Sequence, residues 1–302
     1  MKKNKFIHLL KNPLLLIPSL GFRGVFRWIP DALWLRIVFR IKTGYKLNLK
    51  NPKTFNENLQ WLKLHERNPL YTKLVDKYAV RKYVEETIGK DYLVPLLGVW
   101  DDFDEIDFEK LPDKFVLKCT HDSGGLVVCR DKKKMDIDSV RKKICRCMKF
   151  NYFWAFREWP YKNVRPKIVA ETYLEDEKDS LNDYKFFCFN GIAKVWFLIT
   201  GRGSGDTRCD YYDFEGNLLP FTQGYPNSNV ARKMPQEVLQ MKLLAEKMTK
   251  GMPHCRVDFY LVHGRIYFGE MTFFDSSGFD PFEPKEWDEI FGREIDLTGV
   301  KI

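Results

Sequence analysis

Two strand-like runs near the C-terminus, Arg256 to Val262 and Arg265 to Phe273, are separated only by His263-Gly264, and each carries an acidic residue. Runs rich in Val, Phe, Tyr and Ile that are parted by two turn residues form a β-hairpin. Folding the hairpin about residues 263–264 sets Asp258 opposite 269–270. Asp258 and Glu270 then face one space, among the apolar neighbours Val257, Phe259, Phe268 and Met271. Carboxylates on apolar strands are costly unless compensated, and a divalent cation compensates two of them well. Spacing alone also allows a plainer arrangement, with one carboxylate on Arg256 and the other in solvent.

Upstream, the patterns predict helices over residues 52–64 (Asn56 as cap; Leu59, Trp61 and Leu62 on one face), 71–87, 138–150 and 235–250. Strands are expected over 114–120, 167–171, 184–189, 193–199, 208–214 and 254–261. Residues 91–100 read as an extended apolar segment and 101–110 as a solvated acidic loop. Helices gathered at the ends of strand clusters indicate an α+β fold, not a doubly wound parallel sheet. Lys118 sits on a strand just ahead of Ser123-Gly124-Gly125, where backbone amides could approach a phosphate, although a simple hairpin turn explains the same three residues.

At 302 residues the chain is long enough for one large or two interlocked domains, and 44% hydrophobic with 15% aromatic residues excludes disorder over most of it. The net charge of +9 is unevenly placed. Residues 1–50 hold seven Lys, four Arg and one Asp, a net of +10. The rest holds 39 basic and 40 acidic side chains, a net of −1. The basic segment is broken by Pro13, Pro18 and Pro30 and punctuated by Arg23, Arg27, Arg36 and Arg40, so it does not read as a membrane span or a cleavable signal. Trp28, Trp34 and Phe39 among these arginines suit a helix lying in an anionic membrane interface, and equally a helix packed on the body. Seven cysteines without a CxxC pair point to free thiols and a cytoplasmic compartment, with a peripheral position on the membrane if the basic segment binds it.

Taken together, several motifs resemble the ATP-grasp superfamily in order. They are Asp76-Lys77, Val94-Pro95, Val116-Leu117-Lys118 with Ser123-Gly124-Gly125, Val169-Ala170-Glu171-Thr172-Tyr173-Leu174, and Arg256-Val257-Asp258 with Gly269-Glu270-Met271-Thr272. Asn48 to Asn56, Asp183-Tyr184-Lys185-Phe186 and Phe268-Gly269-Glu270-Met271-Thr272-Phe273 are similar to the TupA-like branch, named for teichuronopeptide synthesis. The resemblance spans roughly residues 45–290. It implies an ATP-grasp fold of two α+β lobes clasping ATP, with 1–47 as a basic helical segment, 48–112 as an N-terminal region, 113–174 as a small lid subdomain and 175–302 as the catalytic subdomain.

It further implies an ATP-dependent carboxylate–amine ligase acting through an acyl phosphate. Lys77, Lys118 and the loop Ser123, Gly124, Gly125 would meet phosphates. Glu171, Thr172, Tyr173 and Leu174 would meet adenine, with Asp183 and Lys185 also on the nucleotide. Asp258, Glu270 and Thr272 would hold Mg²⁺, Thr272 standing where many relatives have Asn, and Arg256 with Lys118 would serve the transferring phosphoryl group. The acceptor implied is a uronic-acid carboxylate of a surface polysaccharide or its precursor, joined to an amino acid or other amine. His121 is a candidate base, though a loop histidine with no catalytic duty is the commoner case.

Two other classes compete. Asp102-Phe103-Asp104 and Asp136-Ile137-Asp138 are D-x-D strings of the kind that bind metal and nucleotide sugar in glycosyltransferases. The basic segment alone would suit a non-enzymatic membrane-surface or nucleic-acid binder, but the near-neutral body with its carboxylate hairpin argues against nucleic acid as a partner.

Overall fold

A capping box opens the helix that begins the body. Thr54 Oγ1 accepts from the Glu57 amide at 3.2 Å, and Glu57 accepts in return from the amides of Thr54 (3.4 Å), Asn48 and Lys53 (both 3.0 Å). The structure is a computed structural model that describes the chain except residues 1–13, 15, 22, 123, 176–180, 202–204, 229, 231 and 301–302. Ser123 of the glycine loop and residues 1–13 of the basic segment therefore lie outside the described residues. The cap is Thr54, not Asn56, whose side-chain amide instead donates to Asp280 O at 3.0 Å. Helices α1 (Leu16–Gly21) and α2 (Asp31–Thr43) precede the capped helix, α3 (Phe55–His65). The buried face of α3 also differs from expectation: Trp61 is half-buried against His65, whereas Lys63 is buried.

The chain divides into two compact units. One comprises residues 1–67, 154–158 and 182–302, the other 68–153 and 159–181. In the first, α2 buries Trp34, Leu35, Val38 and Phe39 against Leu47 and Phe279, and Trp34 Nε1 donates to Ala155 O at 3.1 Å. Trp34 and Phe39 thus pack on the body, while Trp28 remains outside.

The second unit begins with two helices, α4 (Leu70–Val75) and α5 (Val80–Thr87), where one was expected over 71–87. Asp76 breaks the run, its Oδ1 accepting from the amides of Tyr78 (2.8 Å) and Ala79 (3.2 Å). Strands β1 (Leu96–Trp100), β2 (Phe115–Cys119), β3 (Leu126–Cys129) and β4 (Ile168–Thr172) form an antiparallel sheet in the order β1-β4-β2-β3. Phe115, Leu117, Cys119, Ile168 and Ala170 face a core shared with Val140, Ile144 and Cys147 of α6 (Ile137–Met148). The period of two puts Lys118 and Glu171 on the opposite face. Residues 101–110 are solvated on one side only, because Phe103 and Ile106 fill this core while their acidic neighbours stay exposed.

The larger unit carries a second antiparallel sheet in the order β10-β9-β5-β6-β7. Its strands are β5 (Asp183–Phe189), β6 (Ile192–Thr200), β7 (Arg208–Tyr212, shorter than the expected 208–214), β9 (His254–Val262) and β10 (Arg265–Thr272). A two-stranded pair, β8 (Thr222–Gln223) with β11 (Phe282–Glu283), forms a separate sheet beside β7, where Tyr211 OH donates to Gln223 Oε1 at 3.3 Å. Helix α7 (Glu237–Met248) lies on the sheet through Val238, Met241, Ala245 and Met248, and α8 (Glu286–Glu294) packs on α3. The second contact depends on Gly292, since a Cβ there would come within 2.1 Å of Lys53 O. His254 is enclosed by Phe55, Phe187 and Phe189, and burial lowers its imidazole to about 3.

Candidate active site

The hairpin pairs residues whose numbers sum to one value from Arg265–Val262 to Phe268–Phe259, and then the register slips by one. Gly269 is the extra residue. A Cβ there would meet Asp258 O at 3.0 Å, so the close approach of the two strands favours glycine. Without the bulge, Glu270 would face Val257 and point away from Asp258. With it, Glu270 lies opposite Asp258 and Thr272 opposite Arg256, all on one face. The neighbouring strand continues the row, because Lys185 of β5 lies opposite Asp258.

Arg256 organises these groups. Its Nε and Nη2 donate to the two oxygens of Asp258 at 2.7 and 2.8 Å, Nη2 also reaches Glu270 Oε1 at 2.9 Å, and Nη1 donates to Asp275. Lys185 joins Asp258 to Asp183, at 2.8 Å from Asp183 Oδ2. Burial pushes the Asp258 carboxyl up, but Arg256 and Lys185 outweigh it and hold the group below the usual carboxylate range. Burial works against the charge on Arg256 too, and Asp258, Asp275 and Glu270 keep its pKa well above normal. Four carboxylates against two cations leave a surplus of two negative charges. Asp258 is buried, whereas the Glu270 side chain is 45% exposed.

In the smaller unit the balance is reversed. Glu171 receives Lys118 Nζ at 2.6 Å on one oxygen and Arg81 Nη1 at 3.0 Å on the other, and Arg81 Nη2 is tied to Val94 O at 2.8 Å. Lys77 Nζ bonds the carbonyl of Asp122, and Asp122 Oδ1 closes the turn by accepting from Gly125 N at 3.0 Å. Gly124 is exposed, whereas Gly125 is buried against Cys119, whose Sγ a Cβ would approach to 2.4 Å. Thr172 N already donates to Pro95 O at 3.0 Å, and Arg130 Nε donates to Tyr173 OH at 3.2 Å; Leu174 follows them beyond the strand.

A family model described as TupA-like ATP-grasp matches residues 57–296, a stretch holding both clusters. The chain belongs to the TupA-like ATP-grasp family. That places it in the ATP-grasp ligase superfamily, whose cofactors are ATP and Mg²⁺. Among solved structures, this ATP-grasp chain is similar to a D-alanine–D-alanine ligase of Bacillus anthracis in complex with ATP, at 15% identity and a TM-score of 0.41, covering 74% of this chain and 63% of that one. It is also similar to an N5-carboxyaminoimidazole synthetase of Staphylococcus aureus with ADP, at 14% identity and 0.43, covering 79% and 56%. A D-cycloserine synthetase matches at 12% identity and 0.42, covering 87% and 78%. The chain spans less than two thirds of the length of the first two. No curated protein matches it in sequence.

Among the described residues, no cluster of three or more His, Cys, Asp or Glu is arranged to hold a metal. The ATP-grasp assignment does not require one, because Mg²⁺ that accompanies a nucleotide takes one or two carboxylates and fills its remaining positions with phosphate oxygens and water. Glu270 fits that use, with one oxygen on Arg256 and its side chain reaching solvent. Asp258 is buried, and both its oxygens accept from Arg256, one of them also from Lys185. The Thr272 hydroxyl lies 3.5 Å from Glu270 Oε1.

Both D-x-D strings cap helices, Asp102 a single 3-10 turn (Phe103–Glu105) and Asp136 the helix α6. Asp102 accepts from the Asp104 amide at 3.0 Å and Asp136 from that of Ser139 at 3.1 Å, so each string has a local structural role. His121 is buried, with Nε2 at 3.0 Å from Phe150 O, and burial lowers its pKa. Sequence reasoning missed Arg81, Asp275 and a buried group behind Asp275. In that group Lys63 donates to Gln60 Oε1 (3.0 Å) and Ser277 O (2.7 Å), and Ser277 bonds Glu158. The one visible signal was the polar turn Asp275-Ser276-Ser277-Gly278 after an apolar strand. Its last three residues all take left-handed φ, at 47°, 55° and 64°.

Proposed function

We propose that this protein joins a carboxylate to an amine at the expense of ATP, through an acyl phosphate. The observation that carries the reading is the row Glu270, Asp258, Lys185 across three adjacent strands, with Arg256 held by three carboxylates beside it. A carboxylate oxygen of the acceptor attacks the γ-phosphorus of ATP and ADP leaves. The amine nitrogen then attacks the acyl carbon, phosphate leaves, and the nitrogen loses a proton. Arg256 presents a fixed cation to the transferring phosphoryl group, and its three anchors mean that little reorganisation is needed as charge develops there. Lys118, oriented by Glu171, and Lys77 beside the glycine turn take phosphate oxygens. Gly124 and Gly125 line that turn. Residues Glu171 to Leu174 face adenine, and Asp183 with Lys185 orients the ribose end. Asp258 and Glu270, with Thr272 beside them, would hold Mg²⁺, which when bound neutralises charge on the β- and γ-phosphoryl oxygens.

The acceptor we propose is a uronic acid of a cell-surface polysaccharide, or of its nucleotide- or lipid-linked precursor, and the donor an amino acid or similar amine. The family's TupA-like character supports this substrate class. All seven cysteines are unpaired, which supports a cytoplasmic setting, and a peripheral position on its membrane would suit a lipid-linked acceptor. The test is to supply a uronic acid labelled with ¹⁸O in its carboxylate, together with ATP, Mg²⁺ and an amino acid. One ¹⁸O in the released phosphate is expected; amide formation with unlabelled phosphate, or ADP release that ignores the carboxylate, refutes the proposal.

A further inference from the structure

We propose that the stretch from Leu14 to Lys42 is a docking surface for an anionic lipid bilayer, with Trp28 as its wedge; this does not rest on the ligase reading. Arg157, buried and at a left-handed φ of 58°, pins this stretch. Its Nη2 donates to Phe26 O at 2.9 Å and Ile29 O at 3.4 Å, on either side of Trp28, and its Nε pairs with Asp31 at 2.8 Å. Phe26 turns inward onto the Trp34 ring, with centroids 5.1 Å apart, while Trp28 is held outward at 79% exposure. A large ring so exposed on a fastened turn is costly in water and suited to headgroup depth.

Its surroundings match. Of nineteen exposed large apolar side chains among the described residues, six (Leu14, Leu16, Leu20, Val25, Trp28 and Leu33) fall within residues 14–33. Arg23, Arg27, Arg36, Arg40 and Lys42 are exposed in the same stretch, and its sole acidic residue, Asp31, is already paired with Arg157. On α2, Leu33, Arg36 and Arg40 recur at helical spacing on the face opposite buried Trp34 and Val38. Five exposed cations against one acid that is already paired disfavour a second copy of the same surface and complement lipid phosphates.

Full-length protein should sediment with vesicles of phosphatidylcholine mixed with phosphatidylglycerol and not with phosphatidylcholine alone. R23Q/R36Q should weaken that binding about 25-fold, taking about fivefold per cation removed. W28S should weaken it roughly tenfold, and both variants should melt as the parent does because the side chains removed are exposed. Absence of binding to either vesicle, binding undiminished in R23Q/R36Q, or a lipid-free dimer that W28S abolishes would overturn the proposal. The melting shift produced by MgATP in W28S separates loss of docking from failure of the ligase reading.

Discussion

The clusters on β9, β10 and β5 and on β2 and β4 place charge on sheet strands with opposite balance. In the first, Arg256 and Lys185 are outnumbered by Asp183, Asp258, Glu270 and Asp275; in the second, Arg81 and Lys118 outnumber Glu171. One therefore favours a cation and the other an anion. They also differ in how their cations are held. Arg256 is fastened by three carboxylates of its own unit, whereas Lys118 has one charged partner among the described residues and lies beside a turn with an exposed glycine.

Removing the hub of the first cluster should have the largest effect. Arg256→Met leaves Asp258 and Asp275 buried without their main partner, and breaking a buried ion pair in this way costs about 3–5 kcal/mol. Chemical unfolding of the variant checks this, and a loss under 1 kcal/mol would mean that Lys185 alone satisfies the carboxylates. Glu270→Gln tests chemistry without much stability, since that side chain reaches solvent. ATP turnover should fall on the order of 10²–10³-fold with an unchanged melting temperature, and near-parental turnover would remove Glu270 from the metal site.

The second cluster should respond in binding. Lys118→Ala should weaken MgATP roughly tenfold or more, as expected for a hydrogen bond to a charged group. Lys118→Arg should not restore it fully, because a guanidinium fork replaces a compact ammonium. Titration calorimetry that finds both variants like the parent would return Ser123-Gly124-Gly125 to a plain hairpin turn and end the comparison.

The effect that is smallest at neutral pH concerns the core residue two positions before Arg256. His254 is neutral in the folded protein down to about pH 3 but takes a proton near 6.5 when unfolded. Between those values the unfolded state binds more protons, so stability is lost as pH falls from 6.5, by at most about 1.4 kcal/mol per pH unit from this group. His254→Phe should flatten that acid limb in unfolding curves measured from pH 7 to pH 4. An unchanged limb would assign it to the carboxylates of the Arg256 cluster instead.

Much of this was legible in the sequence, because local chemistry decides it. Alternating Val, Phe and Tyr about His263-Gly264 specify a hairpin, and both turn residues adopt the left-handed φ that such a turn requires. Asp258 and Glu270 stand out because acids on apolar strands need a reason. Misreadings arose where a local pattern had two solutions. Asn56 and Thr54 both suit a cap, and the reciprocal bonds of Glu57 choose Thr54. Trp61 and Lys63 both lie near the apolar stripe of α3, and Ser277 O, Gln60 and the Phe279 ring draw the lysine inward.

From its residues alone, the chain determined that a hairpin would carry two carboxylates, that a lysine would precede a glycine turn, and that the basic charge would gather at the front. Those properties depend on neighbours a few positions apart. Only the tertiary structure decided that Asp258 and Glu270 share a face, because a slip of one residue reverses every side chain of a strand and the bulge at Gly269 forms only when the strand meets its partner. It also decided that Asp275 completes the hold on Arg256, and that Trp34 is core while Trp28 is surface. Six residues apart in one aromatic, basic segment, the two tryptophans are separated by Arg157, a buried cation more than a hundred residues away in the chain.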